Sequence, residues 1–485
     1  MKKFLCLVLS AMIVLSLCAC GASEGGNDKA AEFQIGFARV KAMPDIYPVH
    51  IAGNDAGKDV CEGSFLDELS VTCVAMKQGE ETVLVYTCDI VDIDAAFYRD
   101  TEAAIAKETG LPVEKIVLNA THTHSAPTLK HDLPGRTQYG AIFNKACATA
   151  GKQALEDLSP ATMSYGSIQT EHLVRVRHYL MQDGTTYGNG HGNEKAGFKE
   201  HHYPSDEEAQ VIRFTRPAED KKDVVLMNLG AHATIVNGSN GYLSADFPGV
   251  ARQYVEQSED VLCAYFIAAA GDQTPSSKIP GETPNAGDHN KVGTAYGEYV
   301  VKCLKENMTE GTVGAPTLYT ETYTAKRMKE GTEDPTMMAH ANEVVALVKK
   351  HGNYSNPEVK AKVAEYGFSS YYEAQGLITR ANAPDVGKLP VTAMTVGNVG
   401  IVFASYEMFS THGTWLKENT PLDMTFVITC SEDDKAYIPN DIACEHSYYE
   451  YDITLYERGT GQALVERCNE ILTALKDGQT PAPLN

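Results

Sequence analysis

The chain has no surplus of basic charge. Its 485 residues carry 41 Lys and Arg against 64 Asp and Glu, a formal net charge of −23. That balance excludes a general affinity for nucleic acid or for anionic lipid surfaces. Pairs such as Lys221-Lys222 are short and read as solvated. No CxxC pair occurs among the twelve cysteines, which excludes a cysteine zinc knuckle and a thioredoxin-like motif. There is no internal repeat, and no clean linker divides the chain after Phe33. With 43% hydrophobic and 22% charged residues, what remains is an ordinary globular composition with one large core over residues 33–485.

The N-terminus reads as a targeting segment. Lys2 and Lys3 precede an apolar run from Phe4 to Leu17, too short to span a bilayer. The run ends in Leu17-Cys18-Ala19-Cys20-Gly21, which looks like a bacterial lipobox. That likeness implies a signal peptide over residues 1–19, a diacylglyceryl group on Cys20, and an extracytoplasmic chain anchored to the cell membrane by lipid. Residues 20–32 then form a flexible tether rich in Gly, Ser, Ala and acids. Nine cysteines follow, an odd number, so at least one stays unpaired. Cys88 and Cys263 sit in apolar runs and are expected to be small core residues.

Strand-like and helix-like segments alternate along the rest of the chain. The patterns predict strands at Val83–Cys88, Ile116–Asn119, Val224–Leu229, Ala264–Ala269, Val391–Val396 and Ile401–Ala404. Helices are predicted at Ala95–Glu108, Tyr139–Leu158, Val292–Glu306, Glu407–Lys417 and Gly461–Leu475. Three more fall in a polar block, at Thr336–Lys350, Pro357–Tyr366 and Ser370–Arg380. Residues 187–206 and 326–382 are the expected insertions. The fold class is therefore α/β in the mixed α+β sense, with mixed sheets flanked by helices.

The most informative stretch is Asn119–Thr128, NATHTHSAPT. It follows a short apolar strand and carries His122 and His124 two positions apart. In extended backbone such residues share a face, so both rings can enter one pocket. Imidazole is the commonest metal ligand and the usual proton shuttle at neutral pH. Four other strands also empty into polar or glycine-bearing turns: Val225–Leu229 into Gly230-Ala231-His232, and Ala264–Ile267 into Gly271-Asp272-Gln273-Thr274-Pro275. Ile401–Ser405 runs into Tyr406-Glu407, and Phe426–Thr429 leads to Ala436-Tyr437-Ile438-Pro439. Ligands in α/β sheets gather at the carboxyl ends of strands. Five such exits converging on one pocket would gather His, His, Glu and Tyr around a metal.

On these residues the chain resembles the catalytic domain of the neutral/alkaline, non-lysosomal ceramidases, which are zinc amidohydrolases. The likeness begins at Phe33–Arg39 with Ile51-Ala52-Gly53 and is closest at Thr121-His122-Thr123-His124-Ser125. It continues through Gly230–Gly238, Ser244–Gly249, and the Tyr-Glu and Ala-Tyr-Ile-Pro segments. The resemblance implies that Zn²⁺ is held by His122, His232, Glu407 and Tyr437. It implies that His124 faces the substrate, where His124 or Arg177 orients the amide and His124 can pass the proton to the leaving amine, that Thr274 holds the attacking water or the substrate, and that Tyr449 meets the oxyanion charge. The implied substrate is a lipid-like N-acyl amide such as ceramide; the oligomeric state stays open.

Three departures accompany the likeness. Thr274 stands where the family's Gly-Asp-x-Ser-Pro signature has its serine, keeping the hydroxyl but adding a methyl. The asparagine-rich stretch after the second histidine shrinks to Asn237-Gly238-Ser239-Asn240, and Asn485 follows Gly461–Leu475 too closely for an immunoglobulin-like domain. Two alternatives remain. One is a zinc hydrolase of the same fold acting on a non-sphingolipid amide or ester. The other is a transporter's solute-binding lipoprotein, which has no need of four donors at separate strand exits. The metallo-β-lactamase motif also begins His-x-His, but it requires Asp and His where this chain has Ser125-Ala126-Pro127. His191, His201 and His202 read as part of a solvated loop.

Overall fold

Alternating apolar positions on three separate sheets point to one shared interior. The computed structural model describes residues 31–484 except 54–58, 131, 189–195, 237, 277–287 and 433–435. The signal-like run, Cys20 and the tether up to Ala30 lie outside the described residues, as do His191 and Asn237. Residues Phe33–Asn485 form one compact unit. No helix among the described residues is long and apolar enough to cross a membrane.

The first sheet runs in the order Ile116–Ala120, Glu81–Cys88, Ser70–Gln78, Gln34–Lys41, Ser159–Pro160. The second runs Leu262–Ile267, Val224–Leu229, Glu208–Thr215, Thr162–Gln169, Thr309–Gly311. The third runs Thr317–Lys326, Val386–Val396, Val399–Ala404, Met424–Ile428. One face of each sheet meets in the centre: Val83, Val85 and Val117 from the first, Ile212, Leu226 and Phe266 from the second, Ile401, Phe403 and Phe426 from the third. The intervening residues point the other way, as a period of two requires. Leu84 and Tyr86 meet Phe143 and Ala150 of the helix Arg136–Glu156. Val225 and Met227 meet Phe247 and Tyr296 of the helices Asp246–Glu259 and His289–Glu306. Val402 and Val427 meet Val465 and Ile471 of Thr460–Lys476. Each large apolar side chain so buried contributes about 1.5–3 kcal/mol.

This is the expected α/β class with mixed sheets and helices on their outer faces. Each sheet is antiparallel except for one parallel pair: Glu81–Cys88 with Ile116–Ala120, Val224–Leu229 with Leu262–Ile267, and Val399–Ala404 with Met424–Ile428. The exits of these pairs lead to the functional residues. All nine described cysteines are free thiols, and Cys88 and Cys263 are buried in the sheets.

Local signals explain most boundaries. Asp94 caps Ala95–Thr109 by accepting from the N–H groups of Ala96 and Phe97, and Gly110 ends that helix in the left-handed conformation. The boundary that bears on the site differs from the sequence pattern. Glu407 does not open a helix; Glu407–Met408 is a short strand paired in parallel with Tyr437–Ile438, and the helix starts at Ser410. The Glu407 N–H is bound to the Ala436 carbonyl (3.0 Å), so the carboxylate is placed by a sheet edge and not by a helix dipole.

Candidate metal centre

The exits of the three parallel pairs are stitched to one another. Ala120 N–H donates to the Cys430 carbonyl (3.0 Å), His124 N–H to Ala233 (3.0 Å), Gly271 N–H to Met408 (2.8 Å) and Thr429 N–H to Ile267 (2.9 Å). A Cβ on Gly271 would lie 2.5 Å from the Glu407 carbonyl oxygen, so only glycine permits that approach. These crosslinks bring residues more than 300 positions apart in sequence into one buried cluster.

Four donor atoms meet there. Glu407 Oε2 lies 3.0 Å from His232 Nε2 and 3.4 Å from His122 Nε2, and Tyr437 OH lies 3.2 Å from His232 Nε2. The His122 and His232 rings cross almost at right angles, with centroids 4.8 Å apart. Each ring donates its other nitrogen to backbone: His122 Nδ1 to Val91 (2.8 Å), His232 Nδ1 to Ala270 (2.8 Å) and Gln273 (3.0 Å). A carbonyl acceptor on Nδ1 leaves the Nε2 lone pair facing inward, which is how metal-ligating histidines are oriented. The donor separations match the edge of a tetrahedron, about 3.3 Å for bonds of about 2.0 Å to zinc. The residues present therefore fit a Zn²⁺-sized ion.

The charges agree. Burial pushes the Glu407 carboxyl up, but His122 and His232 outweigh it and hold it well below the usual carboxylate range. Burial pulls His122 down, but Cys430 and Glu407 outweigh it and carry its pKa well above the usual histidine value. Burial and Arg177 together lower His232. A buried carboxylate between two imidazoles is a setting that favours a cation.

His124 is half-buried, its ring edge-on to His122 at 5.0 Å. One nitrogen from each of His122, His124 and His232 lies within 4.8 Å of the others, so a third imidazole borders the set. The reason differs from simple strand geometry. The strand ends at Ala120, and His122 is left-handed (φ 61°), as are Cys430 (φ 52°) and Ala436 (φ 59°). Three strained residues at or beside one site are characteristic of a functional constraint.

Tyr449 starts the short helix Tyr449–Ile453, and its ring is edge-on to Tyr437 at 5.9 Å. Burial raises its phenol pKa, so it stays a proton donor. Thr274 is buried and lies opposite Arg175 in a two-stranded ladder; the carbonyl of its neighbour Gln273 binds His232. Arg177 is fully buried. Its Nε donates to Glu450 Oε1 (2.7 Å), its Nη2 to Gly271 O (2.8 Å), and it bonds the Tyr437 phenol while lying 5.5 Å from that ring's centre.

Sequence reasoning missed the network behind Arg177. Glu450 Oε2 bonds His178 Nε2 (2.9 Å), His178 Nδ1 lies 2.8 Å from Tyr203 OH, and Tyr203 OH donates to Asp272 Oδ2 (2.9 Å). Asp272 in turn accepts from the Ser410 N–H (2.7 Å) and hydroxyl (2.8 Å). Glu450, His178 and Asp272 each adjoin or flank a residue already singled out, and that adjacency was the available signal. His202 belongs here too: its Nδ1 lies 2.8 Å from Tyr448 OH, so it is more than a solvated loop residue.

Three mixed sheets with helices on their outer faces empty into one His/His/Glu/Tyr cluster, and the fold they build is that of the neutral ceramidases. In particular, the chain is similar to the crystal structure of neutral ceramidase from Pseudomonas aeruginosa, with a TM-score of 0.69 and 16% identity over 94% of this chain and 76% of that one. It is equally similar to a ceramidase complexed with C2, with a TM-score of 0.70, 16% identity, and 94% and 77% coverage. No family model and no curated protein sequence matches the chain. At this identity the likeness establishes the fold.

Proposed function

We propose that the chain is a zinc-dependent amidohydrolase that cleaves the N-acyl amide bond of ceramide or a related N-acyl lipid. The observation that carries this reading is the convergence of His122, His232, Glu407 and Tyr437 at separations of 3.0–3.4 Å, with both Nδ1 atoms tied to backbone. These four residues would hold the ion. A bound zinc ion supplies Lewis-acid polarisation of the amide carbonyl and acidifies water.

The remaining residues divide the work. Tyr449, protonated at neutral pH, donates toward the carbonyl oxygen as its negative charge grows. His124, half-buried beside the set, takes the proton the attacking water loses and passes it to the leaving amine. Thr274 orients the substrate or water through its hydroxyl. Arg177 acts at one remove: spent on Glu450 and Gly271, it positions Tyr437. The lipobox-like segment ending at Cys20 supports a lipid-anchored location outside the cytoplasmic membrane, beside N-acyl lipids.

Elemental analysis of the purified chain, followed by a panel of N-acyl amides varied in acyl chain and amine, tests this reading. About one zinc per chain and release of fatty acid are expected. A chain that purifies metal-free and hydrolyses none of the amides overturns it, and would favour a solute-binding role.

A further inference from the structure

The polar block between Pro335 and Asn382 contributes no metal donor, yet it reaches the site. Its three helices, Pro335–His351, Pro357–Tyr366 and Tyr371–Asn382, close on a small core of Ala341, Val344, Val359, Ala374 and Leu377. The last helix is docked tightly on Tyr449–Ile453. Asp452 Oδ2 accepts from the Ser369 (2.9 Å) and Ser370 (2.8 Å) hydroxyls. Arg380 donates to the carbonyls of Asp452 (2.8 Å) and Thr454 (3.0 Å).

This docking builds an unbroken row of rings. From the buried set outward, His232 stacks on Tyr437 (6.3 Å between centroids), Tyr437 meets Tyr449 (5.9 Å) and Tyr449 meets Tyr372 edge-on (4.8 Å). Tyr372 then meets Tyr371 (5.5 Å) and Tyr354 (5.6 Å), and Tyr354 is 50% exposed. Exposure rises along the row, from buried Tyr437 through half-buried Tyr449, Tyr372 and Tyr371 to the surface. Tyrosine suits such a gradient because its ring is apolar and its hydroxyl tolerates water.

We propose that Tyr372, with Tyr371 and Tyr354, forms a wall that receives an extended apolar chain of the substrate and sets the preference for long-chain amides. A compact substrate would touch Tyr449 alone; only an extended one reaches Tyr372 and beyond. The identity of the reacting bond rests on the amidohydrolase reading, but the wall does not. The chain on the wall belongs either to the acyl group or to the amine, and the test separates the two.

The full chain loaded with zinc is compared as wild type, Tyr372→Ala and Tyr372→Phe. Three substrates are used: an acetyl amide of a short amine, a palmitoyl amide of the same amine, and an acetyl amide of a long-chain amine. In Tyr372→Ala, the kcat/KM ratio of long to short substrate falls about ten-fold, the scale of one or two lost methylene contacts. The arm that falls identifies which chain lies on the wall. Tyr372→Phe restores the ratio to within about two-fold. An unchanged ratio, or equal loss on all three substrates, overturns the proposal, the latter because Tyr372 then only supports Tyr449. Fluorescence anisotropy of a labelled palmitoyl amide gives a second reading, with Kd about ten-fold weaker in Tyr372→Ala. If wild type binds without hydrolysis and Tyr372→Ala weakens binding, the wall stands and the amidohydrolase reading falls. If wild type hydrolyses but neither ratio nor Kd moves, the wall falls and that reading stands. If wild type neither binds nor hydrolyses, both fall.

Discussion

The proposed metal set and the network behind it are both buried and both charged, and Arg177 joins them. They are nevertheless built on opposite rules. In the network, donors alternate with acceptors from Arg177 through Glu450, His178 and Tyr203 to Asp272. In the set, four atoms able to ligate a metal, two imidazole Nε2, a carboxylate oxygen and a phenol oxygen, crowd together at 3.0–3.4 Å around one buried carboxylate charge. A closed network needs nothing added, whereas converging ligand atoms around a buried carboxylate have room for a cation among them. The two kinds of histidine differ accordingly. His178 spends both nitrogens on neighbouring side chains, while His122 and His232 spend one on backbone and turn the other inward.

The largest effect should come from breaking the set. His122→Ala or His232→Ala should empty the site of zinc by elemental analysis and lower turnover by roughly three orders of magnitude, about 4 kcal/mol of barrier. The melting temperature of either variant should match that of chelator-treated wild type, because the ion is the linked ligand. Stoichiometric zinc in both variants would remove these histidines from the ligand set.

Breaking the network should do the reverse. Glu450→Ala leaves Arg177 and His178 without their shared carboxylate, and losing one partner of a buried ion pair costs about 3–5 kcal/mol. Denaturant unfolding should show that loss while the purified protein still carries zinc. An acid titration sharpens the contrast. Burial pushes the Glu450 carboxyl up, but Arg177 and His178 outweigh it and hold it at about 2, against an ordinary 4.5. The unfolded chain therefore takes up this proton first as pH falls. The group's stabilisation is whole above about pH 4.5 and disappears toward pH 2, about 3 kcal/mol in all. Glu450→Gln should flatten that part of the acid limb; an unaltered profile would mean that Glu450 is not held ionised by the network.

The same contrast governs how much could be read from the sequence. The frame was legible because apolar runs alternate with helical periods, and because strand exits are marked by polar residues directly after them. His122, His232, Glu407 and Tyr437 each follow such an exit, and the resemblance to the neutral ceramidases singles these four out as the ligand set. The route was less legible. The sequence predicts His122 in extended backbone, but it is left-handed, and no glycine marks that turn or the ones at Cys430 and Ala436. Glu407 looked like the start of a helix because the period of Ser410–Glu418 runs backward through it. The network's members lie beside residues the motifs single out, but their pairing is not legible: Arg177 and Glu450 lie 273 positions apart, and nothing in either local pattern names the other. Partnerships set by tertiary contact leave no local period.

Thr274 offers the finest test, since it belongs to neither rule. It sits beside Gln273, which orients His232, and two residues from Asp272, which ends the network. If its hydroxyl touches the substrate or water, Thr274→Ala should lower kcat by about ten- to a hundred-fold with zinc retained. Thr274→Ser removes only a methyl from a buried site, at about 1 kcal/mol of stability. The loss of β-branching also frees χ1, so the hydroxyl can choose its rotamer. Activity of the serine variant should therefore stay within about three-fold of wild type, on either side. A serine variant as poor as the alanine variant would mean that the methyl, packed against its neighbours, is what keeps Gln273 and hence His232 in place, and the residue would then belong to the scaffold of the metal set.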